Sequence, residues 1–198
     1  MNYLAHAYLS FGIPQVTVGN LISDLVKGKK KYDYPPAVQT GIQLHRAIDI
    51  FTDTHPLTRQ AKQVFREAYK LYSGPLVDIV YDHFLANDPS IFPGGETGLK
   101  AFAQKTYEVV GGYTGSLPEP FVRLFHYMRM QDWLFHYRYR QGIANSFNGL
   151  ARRAAYMGST DAAGLLFESH YTALEDCYRD FFPELREHAL RTLQQLQE

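Results

Sequence analysis

One cysteine, Cys177, stands in 198 residues. A single thiol excludes an intramolecular disulfide and any thiolate metal cluster, and it fits a reducing compartment. Net charge is missing too, with Lys+Arg and Asp+Glu both at 20. Global charge therefore argues for neither nucleic acid nor membrane as a partner. No stretch approaches the ~20 apolar residues of a membrane span. Met1–Ser10 shows no basic region followed by a long apolar run, as a secretory signal would. These absences predict a soluble, cytoplasmic protein. Strand-type alternation is scarce, and no Asn-Gly or Asp-Gly pair separates two such runs. Neither a Gly-x-Ser-x-Gly elbow nor a P-loop occurs, and Cys177, in a Tyr/Glu-rich segment, is a poor nucleophile candidate.

What is present is helix punctuation. Gly and Pro divide the chain into helix-sized pieces. The expected helices are Asn2–Phe11, Gly19–Lys27, Pro36–His55, Pro56–Lys70, Leu76–Ala86 and Leu99–Val110. A long segment from Pro118 to Arg140, then Gln141–Met157, Asp161–Phe182 and Pro183–Gln197 follow, with Ser90–Gly98 as loop. We expect a single all-α domain over residues 1–198, a bundle of about eight helices. A chain of this length buries about 70% of its unfolded surface, enough for a core without disulfides. Aromatics are plentiful, with 15 Tyr and 13 Phe. Tyrosine suits half-wet clefts, and equally the edges of an ordinary core.

The segment Gly41–Pro56 spaces His45, Asp49 and Asp53 four residues apart. On a helix such residues stack one above the other, so an imidazole and a carboxylate can bite one divalent ion. Gly41, Leu44, Ile48 and Phe51 form the core stripe; Val38, Ile42, His45 and Asp49 form the row beside it. A carboxylate at that margin needs a partner, because burying it alone is costly. Arg46 sits on a neighbouring face, so a metal ion is the sharper explanation. An ordinary amphipathic helix with a satisfied histidine is the alternative. Asp53, at the helix end beside His55-Pro56, is the weakest of the three.

Val77–Leu85 carries Asp78, Asp82 and His83 on a short apolar helix. Taken alone, it reads better as a solvent-facing Asp82 and a hydrogen-bonded core His83. His6 lies among Leu4, Tyr8 and Leu9, where a core histidine is the ordinary reading. Asp24 interrupts N-L-I-S-D-L-V-K-G, and a mid-helix Asp has poor helix propensity. His6, Asp24, His45, Asp49, Asp53, Asp82 and His83 together offer only nitrogen and oxygen donors. That set suits Mn²⁺, Mg²⁺ or Fe²⁺ more than a structural zinc. His and Asp donors from several helices match the architecture of His-Asp metal-dependent phosphohydrolases, in which the metal polarises a phosphoryl oxygen and activates a water. Lys27, Lys29–Lys31, Arg138, Arg140 and Arg152-Arg153 add basic clusters. Such runs are usually solvated faces, but beside an acidic site they suit a phosphate or an acidic protein.

These motifs resemble the acyl carrier protein phosphodiesterase (acyl carrier protein hydrolase) family nearly end to end. The likeness is carried by M-N-Y-L-A-H at Met1–His6, G-N-L-I-S-D-L-V-K-G at Gly19–Gly28 and P-P-A-V-Q-T-G-I-Q-L-H-R-A-I-D-I-F-T-D at Pro35–Asp53. It continues through D-H-F at Asp82–Phe84, Trp133-Leu134, Tyr137-Arg138, N-G-L-A-R-R at Asn148–Arg153 and H-Y-T-A-L-E at His170–Glu175. Ser90–Gly115 matches least. The resemblance implies a Mn²⁺-dependent hydrolase of the phosphodiester between 4′-phosphopantetheine and a serine of holo-acyl carrier protein. It implies an essential Asp24, and a metal-site region at His45/Asp49 and Asp82/His83, whose Asp-His order departs from the usual His-Asp. On that reading the metal ligands are Asp24, His45, Asp49, Asp82 and His83. Asp24 and His6 are catalytic, and His170 protonates the leaving serine oxygen. Arg46, Arg59 and Arg152 offset phosphate charge, while Lys27, Lys29–Lys31, Arg152 and Arg153 meet the acidic carrier. Two rivals stay open: the same site acting on a nucleotide or other small phosphoester, and a non-catalytic helical module that binds acidic proteins. The preferred carrier, the number of metals and the oligomeric state are open as well.

Overall fold

A proline at the first helical position has no N–H to waste and a backbone angle already suited to a helix. Three helices begin this way: α2 (Pro14–Ile22), α3 (Pro36–Thr54) and α4 (Pro56–Tyr69), preceded by the short α1 (Tyr3–Tyr8). The computed structural model describes residues 1–154 and 156–198. It continues with α5 (Ser73–Asn87), α6 (Glu96–Gly111), α7 (Glu119–Met130), α8 (Trp133–His136), α9 (Arg140–Arg153), α10 (Asp161–Ser169) and α11 (Tyr171–Gln197). Short 3₁₀ turns join some of them, and no strand occurs among the described residues. The fold is all-α, as expected, and its buried apolar side chains form one cluster. None of the described helices is long and apolar enough to cross a membrane.

Several boundaries differ from the sequence expectation, each for a physical reason. Helix α2 starts at Pro14 rather than Gly19, and Asp24 lies in the 3₁₀ turn Ser23–Leu25 that follows it. The turn removes the propensity cost that a mid-helix Asp carries. The Pro118–Arg140 segment breaks at Asp132, whose φ of 47° is left-handed and tolerated by Asp. The Asp161–Phe182 piece breaks at His170, which has φ −116° and ψ 19°. Pro183 does not start a helix but lies inside α11. Proline there forfeits a backbone hydrogen bond. Phe181, Phe182 and Leu185 around it are buried against the core, and that burial outweighs the lost bond. The expected Gln141–Met157 helix ends at Arg153, and its Ala155 lies outside the described residues.

Two features position the site. First, α2 packs along α3 more extensively than any other pair of helices. A Cβ on Gly19 would stand 2.0 Å from the Val38 carbonyl oxygen, and one on Gly41 would stand 2.2 Å from that of Val16. Only glycine permits this contact, so the two backbones touch. Second, α5 is apolar nearly all round and runs through the core, with Leu76, Val77, Ile79, Val80 and Phe84 buried. Its Asp82 is fully buried and accepts from the backbone N–H groups of Asn2, Leu4 and Ala5 at 3.3, 2.7 and 3.2 Å. A carboxylate of α5 thus caps α1. Burial pushes its pKa up to about 7, against the pull of those three donors.

Gly41→Ala is expected to cost at least about 1–3 kcal/mol in chemical denaturation, because two backbones must part. Asp82→Asn is expected to cost about 1–3 kcal/mol, because its NH₂ meets N–H donors. It should leave divalent-metal binding intact in a direct titration.

Candidate metal centre

Three elements meet beside the α2–α3 contact. Helix α1 delivers His6, the turn after α2 delivers Asp24, and α3 delivers His45 and Asp49 one turn apart. The rings of His6 and His45 stack, with centroids 3.9 Å apart and 16° between planes. His45 Nε2 lies 3.1 Å from Asp24 Oδ1 and 3.1 Å from Asp49 Oδ2. His6 Nε2 lies 3.2 Å from Asp49 Oδ1. One donor atom from each of His6, His45 and Asp49 falls within 4.8 Å of the others, an arrangement able to hold a metal ion.

The far ring nitrogens are held as well. His6 Nδ1 is 2.7 Å from Asn20 Oδ1, and His45 Nδ1 is 2.7 Å from the Asn20 carbonyl oxygen. The 3.2 Å approach of His6 Nε2 to Asp49 is an ion-pair distance, but its direction does not suit a hydrogen bond. That buried nitrogen has no hydrogen-bond partner. A buried donor atom without a partner, aimed among nitrogen and carboxylate ligands, fits a divalent cation.

The electrostatics agree. Burial pulls His6 down to about 4, with repulsion from His45 adding to it, so this ring is neutral at neutral pH. Burial pulls His45 down too, but the Asp24 and Asp49 carboxylates overcome it and raise the group to about 9. Burial acts to raise Asp49, yet the hydrogen bond from His45 and the nearness of His6 and the Met1 ammonium hold it well below the usual carboxylate range. Asp24 is lowered chiefly by its hydrogen bond with His45. Without a metal, the proton on His45 serves as the cation between two carboxylates.

A cavity of about 210 Å³ opens on this cluster, lined by His6, His45 and Asp24 together with Tyr3, Asp78 and Arg153. The Met1 ammonium sits 3.0 Å from Asp78 Oδ1 and 3.5 Å from Asp49 Oδ1. Burial raises the Tyr3 hydroxyl above its ordinary pKa against the nearby Arg153 guanidinium, so it keeps its proton. Asn20, Tyr3 and Asp78 were not named as site residues from the sequence. A fully buried Asn inside V-T-V-G-N-L-I is the one local signal that existed.

Other expected site residues lie elsewhere. Asp82 is not solvent-facing and not in the cluster; its oxygens cap α1. His83 is the hydrogen-bonded core histidine, with Nδ1 2.8 Å from the Tyr137 carbonyl oxygen and Nε2 3.1 Å from the Tyr171 hydroxyl. His170 is exposed at the α10–α11 corner, where Nδ1 meets Ser169 Oγ at 3.0 Å and the Leu166 carbonyl oxygen at 3.1 Å. It does not line the cavity. Arg46 donates to the Val26 carbonyl oxygen at 3.0 Å, Arg59 is exposed on α4, and Asp53 pairs with Lys62 at 2.7 Å. Lys27 and Arg152 are exposed, and of Arg152 and Arg153 only Arg153 lines the cavity.

The comparisons with known proteins follow the same lines. A family model described as "Acyl carrier protein phosphodiesterase" matches residues 1–185. Curated proteins named "Acyl carrier protein phosphodiesterase" from Salmonella paratyphi A and Salmonella agona are each 33% identical over 192 residues. The alignment covers 96% of this chain and 98% of each relative. One from Salmonella dublin aligns with the same identity and coverage. No solved structure matches the chain. On the whole-length family match and these relatives, the chain belongs to the acyl carrier protein phosphodiesterase family, an enzyme family of phosphodiester hydrolases.

Proposed function

We propose that this protein hydrolyses the phosphodiester joining 4′-phosphopantetheine to a serine of holo-acyl carrier protein. The observation that carries this reading is the cluster of His6, Asp24, His45 and Asp49 at a cavity that Arg153 also lines, in a chain of this family. His6, His45 and Asp49, with Asp24 beside them, would hold a divalent cation, and Mn²⁺ suits such nitrogen and carboxylate donors. That cation supplies a Lewis acid for a phosphoryl oxygen and lowers the pKa of water beside it.

The remaining work falls to the chain. Asp24 is 77% exposed while its Oδ1 holds His45, so its outer oxygen is open to accept a hydrogen bond from water and orient it. The Arg153 guanidinium presents a donor fork that matches a phosphodiester. The Tyr3 hydroxyl beside it keeps its proton and supplies a further donor to the phosphate. Lys27, Lys29 and Lys30 are exposed in the turn that follows Asp24, suited to an acidic protein surface. Water adds across the bond between phosphorus and the serine oxygen. Its hydroxyl goes to phosphorus and its hydrogen to the serine, giving apo-carrier protein and phosphopantetheine.

Mass spectrometry of holo-carrier protein incubated with this protein and Mn²⁺ tests the reading. Loss of the phosphopantetheine mass is expected, and an unchanged carrier would sink it. Arg153→Ala should lower kcat/KM by roughly 10- to 100-fold, the worth of a charged hydrogen bond, whereas Arg152→Ala should change it by less than about twofold.

Metal binding has a predictable pH dependence. The folded-state pKa of His45, about 9, means the metal must displace its proton at neutral pH, while His6, at about 4, has none to lose. Calorimetry in buffers of different ionisation enthalpy should therefore find about one proton released per ion at neutral pH. Release should fade as pH rises through about 9, and affinity should climb with pH up to that point.

A further inference from the structure

Asn20 touches both candidate imidazole ligands, with different groups of the same residue. It is fully buried in α2. Its Nδ2 donates to the His6 carbonyl oxygen at 2.9 Å and to Ser10 Oγ at 3.1 Å. A carbonyl oxygen only accepts, so the atom facing it is the amide nitrogen. The other amide atom is then oxygen, and it lies 2.7 Å from His6 Nδ1. His6 must donate from Nδ1 to satisfy it. The main-chain oxygen of Asn20 lies 2.7 Å from His45 Nδ1, which must donate as well.

We infer that Asn20 is the positioning residue of the metal centre, turning the Nε2 atoms of His6 and His45 toward Asp49. Partners of this kind on the far nitrogen fix ring orientation and tautomer in metal sites. The inference rests on the reading of His6, His45 and Asp49 as a cation site. The alternative tautomer of His6 would put its proton on Nε2, badly directed toward Asp49, and leave Asn20 Oδ1 facing a bare nitrogen lone pair. Asn20 decides between the two, and it decides for the form that can bind metal. Because α2 carries Asn20, the ligands from α1 and α3 are fixed to a common strut.

The test separates side chain from main chain. Long-range ¹H–¹⁵N correlation spectra of the metal-free wild type should show His6 protonated on Nδ1 at neutral pH. Asn20→Ala should mix the His6 tautomers yet leave the His45 Nδ1–H resonance in place, because its acceptor is main chain. Mn²⁺ affinity, read from the free-ion electron paramagnetic resonance signal, should fall roughly 10- to 100-fold. Asn20→Asp keeps an acceptor against His6 and should lose less. A wild-type His6 protonated on Nε2 overturns the inference without any variant being needed. So does Asn20→Ala that binds Mn²⁺ within about twofold of wild type. A wild type that binds no Mn²⁺ overturns the cation-site reading instead.

Discussion

Backbone meets backbone where α2 crosses α3, and the candidate centre depends on that crossing. Packed helices ordinarily keep their axes 8–10 Å apart, a gap set by side chains. Gly19 and Gly41 remove the side chains at the crossing point, where any Cβ would meet a carbonyl oxygen at 2.0–2.2 Å. The neighbouring residue, Asn20, then lies close enough for its own main-chain oxygen to reach His45 on α3 at 2.7 Å. A main-chain acceptor cannot be lost by a side-chain substitution at Asn20, but it can be lost by anything that spreads the helices. The site is thus as rigid as the α2–α3 contact.

Charge follows from the same closeness. The chain as a whole is neutral, yet Asp24 and Asp78 line one cavity and Asp49 pairs with the His45 that lines it too. Carboxylates drawn this close together need cationic partners. Here the partners are the His45 imidazolium and the Met1 ammonium. The His45 proton holds Asp24 and Asp49 together, and a divalent ion held by His6, His45 and Asp49 would have to displace it. Proton and metal are therefore alternatives at this position.

How much of this was legible in the sequence depended on whether meaning lay within one helix or between helices. His45 and Asp49 were legible because their phase against Val38 and Ile42 is a property of α3 alone. Asp24 and His6 were legible as donors, but the stacking of His6 on His45 was not, because it depends on how α1 docks. Asp82 and His83 show the limit. A buried Asp-His pair on an apolar helix reads the same whether it binds metal, caps a neighbour or hydrogen-bonds a carbonyl. The difference lies in what α5 packs against: α1 for Asp82, and the chain around Tyr137 and Tyr171 for His83. Pro183 failed for a related reason, since a local stop signal gave way to burial on both sides of it. The all-α class was legible throughout, because helical periodicity and Gly/Pro punctuation are local.

The proposed substrate sharpens the electrostatic problem. A phosphodiester is anionic, and so is the carrier protein on which it would arrive. Two unit charges 4 Å apart at a protein surface interact by about 4 kcal/mol, so any carboxylate charge left unpaired beside the phosphodiester would oppose its binding. Catalysis there requires cations that the carboxylates themselves recruit, together with positive charge that they do not neutralise. Arg153 lines the cavity without a carboxylate ion pair among the described residues. Lys27, Lys29 and Lys30 stand exposed directly after Asp24 in the chain. The turn that carries the outermost acid of the centre thus also carries the lysines suited to an acidic partner. A carrier protein held by those lysines would present its phosphodiester within a few residues' reach of Asp24. On this view the short spacing between Asp24 and the lysine run couples recognition of the protein to placement of the bond.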